Sequence, residues 1–172
     1  VLARALGELG EVTVVAPDQE YSGAGAAIGA LHVIKPEIHR VAMDGVHAAW
    51  SVTGPPALCV MFMRLNAFGD HPVMIVSGIN PGANVGRSVF HSGTVGAGLT
   101  ARNGMIPSLA VSQSVPGFGI EGQGYHEMLA GQRWETAARV AVTAARVMLA
   151  DPPPDAPVLN LNVPNLPLEE IK

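Results

Sequence analysis

Val1, Leu2, Ala5, Leu6 and Leu9 return at the three- and four-residue intervals that stack side chains on one helix face, and Gly10 closes the pattern as a C-terminal cap would. The period then changes. Val12-Thr-Val-Val-Ala16 is a continuous apolar run ended by Pro17-Asp18, as expected of a strand buried on both faces. A helix feeding such a strand belongs to a βαβ unit whose first strand comes before the helix, so a strand is expected upstream of Val1. Asp18 to Gly29 turns to Gly, Ser and Ala and reads as a loop. His32–Lys35, Arg40–Met43 and Val46–Val52 alternate, and Asp44-Gly45 is a two-residue hairpin signal. Pro55–Phe68 predicts a helix with proline in its first turn, Val73–Val76 a buried strand, and Thr94–Asn103 a helix closed by Gly104. Ser108–Ser112 predicts another buried strand, residues 115 to 124 a Gly-rich loop, Arg133–Ala150 a long amphipathic helix and Val158–Asn162 a final strand. This order predicts an α/β fold: a three-layer, Rossmann-like, doubly wound and mostly parallel sheet with an inserted β-hairpin, in one domain over 1–172.

Composition narrows the function classes. Of 172 residues 48% are hydrophobic and only 14% charged, which suits a parallel sheet covered by helices on both faces. The net charge is −4, from 14 acidic and 10 basic residues, with no Lys/Arg cluster, so a nucleic-acid polymer is disfavoured as partner. A small phosphorylated ligand remains compatible, because backbone amides and a metal can supply positive field. No run of about 20 uncharged apolar residues is present, so no membrane association is expected. Cys59 is the only cysteine; it reads as a small buried hydrophobe, and the chain suits the reducing cytoplasm.

In doubly wound sheets ligands bind outside the carboxyl ends of the strands. Asp18 and Ser22, Asn80 and Asn84, and Ser92 to Thr94 all fall in turns on that edge. Ser92, Gly93 and Thr94 open a helix, whose first N–H groups lack internal partners and carry partial positive charge, so they suit a phosphate. Asn80 and Asn84 add neutral oxygens beside it, where a hard divalent cation can sit. A lone Ser such as Ser22 caps a helix more often than it ligates a metal. Gly23-Ala-Gly25-Ala-Ala-Ile28 matches a dinucleotide fingerprint poorly, since Ile28 replaces the third glycine and the first lies several residues past the strand. Thr53-Gly-Pro-Pro56 reads as a helix start. His91 next to Ser92 could protonate a leaving alcohol, although such a histidine more often bonds the backbone or faces solvent. No Gly-x-Ser-x-Gly elbow surrounds Ser22, Ser77 or Ser92, so attack by metal-activated water is the simpler chemistry. Magnesium or manganese sites usually include carboxylates, yet the sequence contains no Asp-Asp pair.

Four separated motifs then act together. Ala16-Pro-Asp-x-x-x-Ser-Gly23, Ser51-Val-Thr-Gly54 with Cys59-Val60, Val76-Ser-Gly-Ile-Asn-x-Gly-Ala-Asn-x-Gly86 and Ser92-Gly-Thr-Val-Gly96 resemble, in order and spacing, the SurE family of survival-protein nucleotidases. Ile106-Pro-x-Leu-Ala-Val-Ser112 and Leu159-Asn-Leu-Asn-Val-Pro164 extend the likeness over nearly the whole chain. The resemblance implies a divalent-metal-dependent phosphatase, with magnesium or manganese as cofactor, acting on nucleoside monophosphates and forming homodimers or homotetramers when full length. It implies metal ligation by Ser22 and Asn80, and by two adjacent aspartates expected upstream of Val1, on the strand inferred above; substrate phosphate would meet Ser92, Gly93, Thr94 and Asn84. Departures are Gly54-Pro-Pro-Ala-Leu58-Cys59, which loses a family aspartate, and Thr100, where the family often carries Glu. The other readings are a catalytically silent phosphate- or nucleotide-binding module that has lost its carboxylates, and, behind it, a dehydrogenase.

Overall fold

A computed structural model describes residues 1–31, 33, 35–115 and 129–172. The opening helix α1 is short, Leu2–Leu6 with Gly7 as cap, and β1, Thr13–Pro17, follows where the apolar run lies. β2, Ile38–Val41, and β3, Ala48–Val52, form the inserted hairpin. Their register, Ile38↔Val52 to Val41↔Ala49, leaves residues 42–47 as the connection, longer than the two-residue turn that Asp44-Gly45 signalled. β1 lies parallel to β3, giving the order β1-β3-β2. Trp50 of β3 stacks at 5.5 Å on Phe68 and lies under the Arg40 guanidinium.

Helix α2, Pro56–Arg64, starts from Pro55 as expected but stops before Phe68. The cause is local: Asn66 adopts φ 57°, and the Ala67 N–H donates to Phe62 O, the left-handed closure that ends a helix. The second sheet is wholly parallel in the order β4-β5-β6, from β4, Ile75–Pro81, β5, Ser108–Gln113, and β6, Val158–Val163. A 3₁₀ segment, Gly86–His91, leads into α3, Gly93–Arg102, and the long helix α4 is Trp134–Ala150. The predicted loop at 115–124 falls, past Val115, outside the described residues, as do His32, Ile34 and His126.

Alternation along β5 sets the layers. Leu109 and Val111 pack with Ala138, Ala141 and Ala145 of α4 and with Leu2 of α1, whereas the Ser108 hydroxyl donates to Gly98 O of α3. Helices therefore cover both faces. A Cβ at Gly98 would touch Val158 and Ser108, the first residues of β6 and β5, so α3 runs back along the sheet and its first turn lies at the strands' carboxyl edge. The expected single sheet is distributed over two three-stranded sheets. Between β1 and β4 runs a groove of about 780 Å³, with Leu2, Leu6 and Ala145 on one side and Cys59, Val60 and Ala97 on the other. Among the described residues three buried clusters border it.

Candidate functional site

The start of α3 is organised by Ser92, an N-cap with φ −73° and ψ 119° whose Oγ accepts from the Val95 N–H at 3.2 Å. Gly96 N–H closes on Ser92 O at 2.8 Å. The Gly93 and Thr94 N–H groups meet no acceptor among the described residues, so these two orphan donors face outward with the helix's positive end. No acidic side chain occupies that first turn. An anion is the matching ligand.

The loop carrying Ser22 is seated on this turn. Gly25 N–H donates to His91 O at 3.1 Å, and a Cβ placed on Gly96 would lie 2.1 Å from Gly25 O. Only glycine at 96 permits that approach, and Gly25, at φ 55°, adopts a conformation that favours glycine. A Cβ at Gly93 would lie 3.2 Å from Pro56 Cγ and 3.8 Å from Tyr21 O, so the start of α2 closes the third side. Within the loop Tyr21 donates to Asp18 Oδ1 at 3.0 Å, and the Ser22 hydroxyl donates to Glu20 Oε1 at 2.5 Å. Ser22 thus caps no helix, contrary to what its type suggested: no helix begins at the turn that follows it.

Asn80 lies inside β4, not in a turn after it, because pairing resumes beyond a register shift with Asn80↔Ser112 and Pro81↔Gln113. Its Nδ2 donates to Pro81 O at 3.1 Å and to Gly82 O at 2.7 Å. Both acceptors are carbonyls, which fixes the amide orientation, and Oδ1 meets no donor among the described residues. An oxygen held in this way suits a hard cation. Asn84 is buried, its Nδ2 donating to Ser112 Oγ at 2.8 Å and its backbone N–H to Asn162 Oδ1 at 2.8 Å. Asn160 and Asn162 donate in turn to Asn84 O at 2.9 and 3.2 Å. Sequence reasoning gave these three partners no role, although Asn160 and Asn162, two apart in an apolar strand, share one sheet face by period alone.

Cys59 is buried on α2, and burial pushes its thiol up to about 12, which leaves it inert as a nucleophile. His91 is exposed on the 3₁₀ segment, its carbonyl engaged by Gly25. Among the described residues no group of three or more His, Cys, Asp or Glu could hold a metal, and no helix is long and apolar enough to cross a membrane.

Helices on both faces of a parallel sheet, with a capped, anion-ready helix start on the carboxyl edge, define an α/β protein of the Rossmann-like class. The family model described as "Survival protein SurE" matches residues 1–172, and the chain belongs to that family. It is 37% identical over 172 residues to the 5'-nucleotidase SurE of Coxiella burnetii (strain RSA 331 / Henzerling II), with 100% of this chain and 59% of the relative covered. It is 39% identical to the 5'/3'-nucleotidase SurE of Cronobacter sakazakii, with 99% and 60% covered. The crystal structure of SurE protein from Aquifex aeolicus is similar at TM-score 0.80 and 34% identity, covering 99% of this chain and 62% of that one. The chain thus spans about three fifths of the length of these relatives.

Proposed function

We propose that this chain supplies the phosphate-binding edge and part of the metal shell of a divalent-metal-dependent phosphomonoesterase that hydrolyses nucleoside monophosphates with water as nucleophile. The observation that carries the reading is the seating of the Ser22 loop on the first turn of α3, through Gly25 and Gly96. It brings the loop that carries Ser22 against a helix end with two N–H donors that meet no acceptor among the described residues, from segments 70 residues apart in sequence, Ser22 to Ser92. The names of the relatives support a nucleotidase.

In this reading the Gly93 and Thr94 amides hold the phosphoryl oxygens under the Ser92 cap, with Asn84 beside them, and stabilise charge as it builds on those oxygens. Ser22 Oγ and Asn80 Oδ1 hold magnesium or manganese. The donor set fits such a cation in type, being hard oxygen, with Asn80 Oδ1 left open by the bonds its Nδ2 makes. It is short of negative charge, and the paired aspartates expected on a strand ahead of α1 complete it. The groove between β1 and β4 supports such a strand, since among the described residues it offers one unpaired edge of each sheet between apolar walls. When bound, the metal lowers the pKa of water and shares charge with the phosphate. Residues 1–172 alone are expected to be inactive. Cytoplasmic residence, a single domain, and a homodimer or homotetramer in the full-length protein belong to the same proposal.

The second reading, a silent phosphate- or nucleotide-binding module, is favoured for the chain by itself by the lack of a three-carboxylate or imidazole cluster among the described residues. An N-terminally extended form that carries an Asp-Asp pair separates the two. Phosphate release from a panel of nucleoside monophosphates with Mg²⁺ or Mn²⁺ is expected from that form, with Asn80→Ala abolishing turnover and Asn80→Asp keeping or tightening metal binding. Equal turnover by the parent and Asn80→Ala removes Asn80 from the mechanism; no turnover under any metal leaves the binding module.

A further inference from the structure

We propose that Asn162, with Asn160 and Ser112, positions the turn from Asn80 to Asn84, which makes β6 a working part of the phosphate site. The inference rests on the reading that this turn faces the phosphate. β4 stops pairing with β5 at Pro81↔Gln113, and Gly82 N–H to Gln113 O at 2.8 Å is the last backbone bond that ties the chain to the sheet there. Asn84 comes two residues later and is buried, so its backbone N–H and C=O lie away from water without a strand to pair them.

The Asn162 carboxamide takes the place of that strand. Its Oδ1 accepts from the Asn84 N–H at 2.8 Å and its Nδ2 donates to Asn84 O at 3.2 Å, the pair of bonds a neighbouring peptide group would make. Of the uncharged side chains of this length only an asparagine offers both. Asn160 adds a second donor to the same carbonyl at 2.9 Å. Ser112, fully buried beside Asn162 in the β5–β6 ladder, receives Asn84 Nδ2 at 2.8 Å. Backbone and side chain of Asn84 are then both fixed, leaving Oδ1 and the second amide hydrogen for a ligand. Asn80 is clamped to Pro81 and Gly82 of the same turn, so a shift of the turn moves the cation-facing oxygen as well. Among the described residues the hydrogen bonds from Val85 to Ser92 are local, apart from the one Gly25 makes to His91, so this clamp sets where the segment begins.

The test is an NMR titration of the 172-residue chain with inorganic phosphate, reading the Gly93 and Thr94 amides for affinity and the Asn80 and Asn84 side-chain amides for geometry. Asn162→Ala and Ser112→Ala are expected to weaken phosphate by about tenfold and to shift the Asn84 side-chain resonances. Exposed Asn160→Ala, which removes one bond, is expected to weaken it by about threefold and covers the case in which the half-buried Asn162 and buried Ser112 variants do not fold. Met148→Ala, a buried truncation on α4, is the control: it lowers stability and leaves phosphate affinity unchanged. Unchanged affinity in the fold-competent clamp variants, with phosphate still shifting Gly93 and Thr94 in the parent, overturns the positioning role alone. Weakening by Met148→Ala to the same extent also overturns it, since global loosening then accounts for the effect. If phosphate shifts neither amide in the parent, the site reading fails and the clamp proposal falls with it.

Discussion

Alanine at Gly96 is a direct probe of the seating that brings the Ser22 loop to α3. The new Cβ would lie 2.1 Å from Gly25 O, 2.3 Å from Gly25 C and 2.6 Å from Ala26 N, all backbone atoms. Non-bonded heavy atoms rest near 3.5–4 Å, so the loop must retreat by about 1 Å or more. Such overpacking costs about 1–3 kcal/mol, and loss of the Gly25 N–H to His91 O bond adds about 1 kcal/mol. Against this, alanine is favoured over glycine inside a helix by about 0.8–1 kcal/mol. The net expectation is destabilisation by about 1–3 kcal/mol.

Two companion variants separate sterics from backbone conformation. A Cβ at Gly10 meets nothing within 4 Å and needs no left-handed backbone, so Gly10→Ala is expected to be neutral or stabilising by up to about 1 kcal/mol. Gly23 is equally open but sits at φ 85°, so Gly23→Ala is expected to cost about 1–2 kcal/mol through conformation alone. Urea denaturation gives the three values, read as shifts of midpoint at constant slope. Gly96→Ala is also expected to weaken phosphate at the Gly93 and Thr94 amides, because the wall formed by the Tyr21–Gly25 loop is displaced. If Gly96→Ala falls within about 0.5 kcal/mol of Gly10→Ala, the tight approach does not exist in solution and the argument for a joined site fails.

Ser92→Ala removes the acceptor for Val95 N–H and is expected to cost about 1 kcal/mol in urea unfolding; a loss below about 0.3 kcal/mol shows that the cap is not made. Because its thiol is pushed from 9.0 to about 12, chiefly by burial, Cys59 is expected to react with iodoacetamide at pH 8 far more slowly in the folded chain than in urea, and equal rates refute its burial. The neutral thiol is the form the fold favours, so its contribution to stability is complete below pH 9 and declines as pH rises through about 12. An apolar peptide of about five to six residues, rich in Val and Ile, is expected to raise the melting temperature with its concentration by entering the groove between β1 and β4. A melting temperature independent of peptide concentration argues against strand acceptance there.

Elements with a strong local pattern were legible, whether wholly buried like β5 or only partly like β1 and β6. Val12–Ala16, Ser108–Ser112 and Val158–Asn162 each lie within an observed strand to within about one residue, and Arg133–Ala150 matches α4, because short apolar-rich runs bounded by turn residues and a long amphipathic stripe leave few alternatives. The misplacements have tertiary causes. Ser77-Gly-Ile-Asn-Pro81 carries turn residues, yet β5 pairs with it past a bulge and makes it strand. The Asp44-Gly45 signal is overridden by a register that fixes Val41 opposite Ala49. Leu9 continues the helical period, but the helix ends at Leu6 and Leu9 packs on the α1–α4 cluster from outside it. For the site, Ser92–Thr94 was readable as a local capped start. The Asn84–Asn162 clamp joins residues 78 positions apart, and no local period signals such a pair.

The two halves of the proposed metal shell rest on different sheets: the Ser22 loop follows β1, while Asn80 belongs to β4. Between those strands lies the groove, and around it stand, among the described residues, three buried clusters, one of α1, α4 and β5, one of α2, α3 and β4, and one around Val52 and Leu58. On the proposed reading a strand in that groove would bond both sheet edges, merge the three clusters into one core and deliver the carboxylates at the end where Ser22 and Asn80 stand. Stability and metal affinity are then coupled, since the segment that fixes the spacing between the sheets also completes the ligand set. Groove substitutions that loosen packing without touching an oxygen ligand, such as Val60→Ala or Ala97→Gly, should therefore weaken the metal in the extended protein in proportion to the stability they remove, whereas equal losses on the outer strand β2 should not.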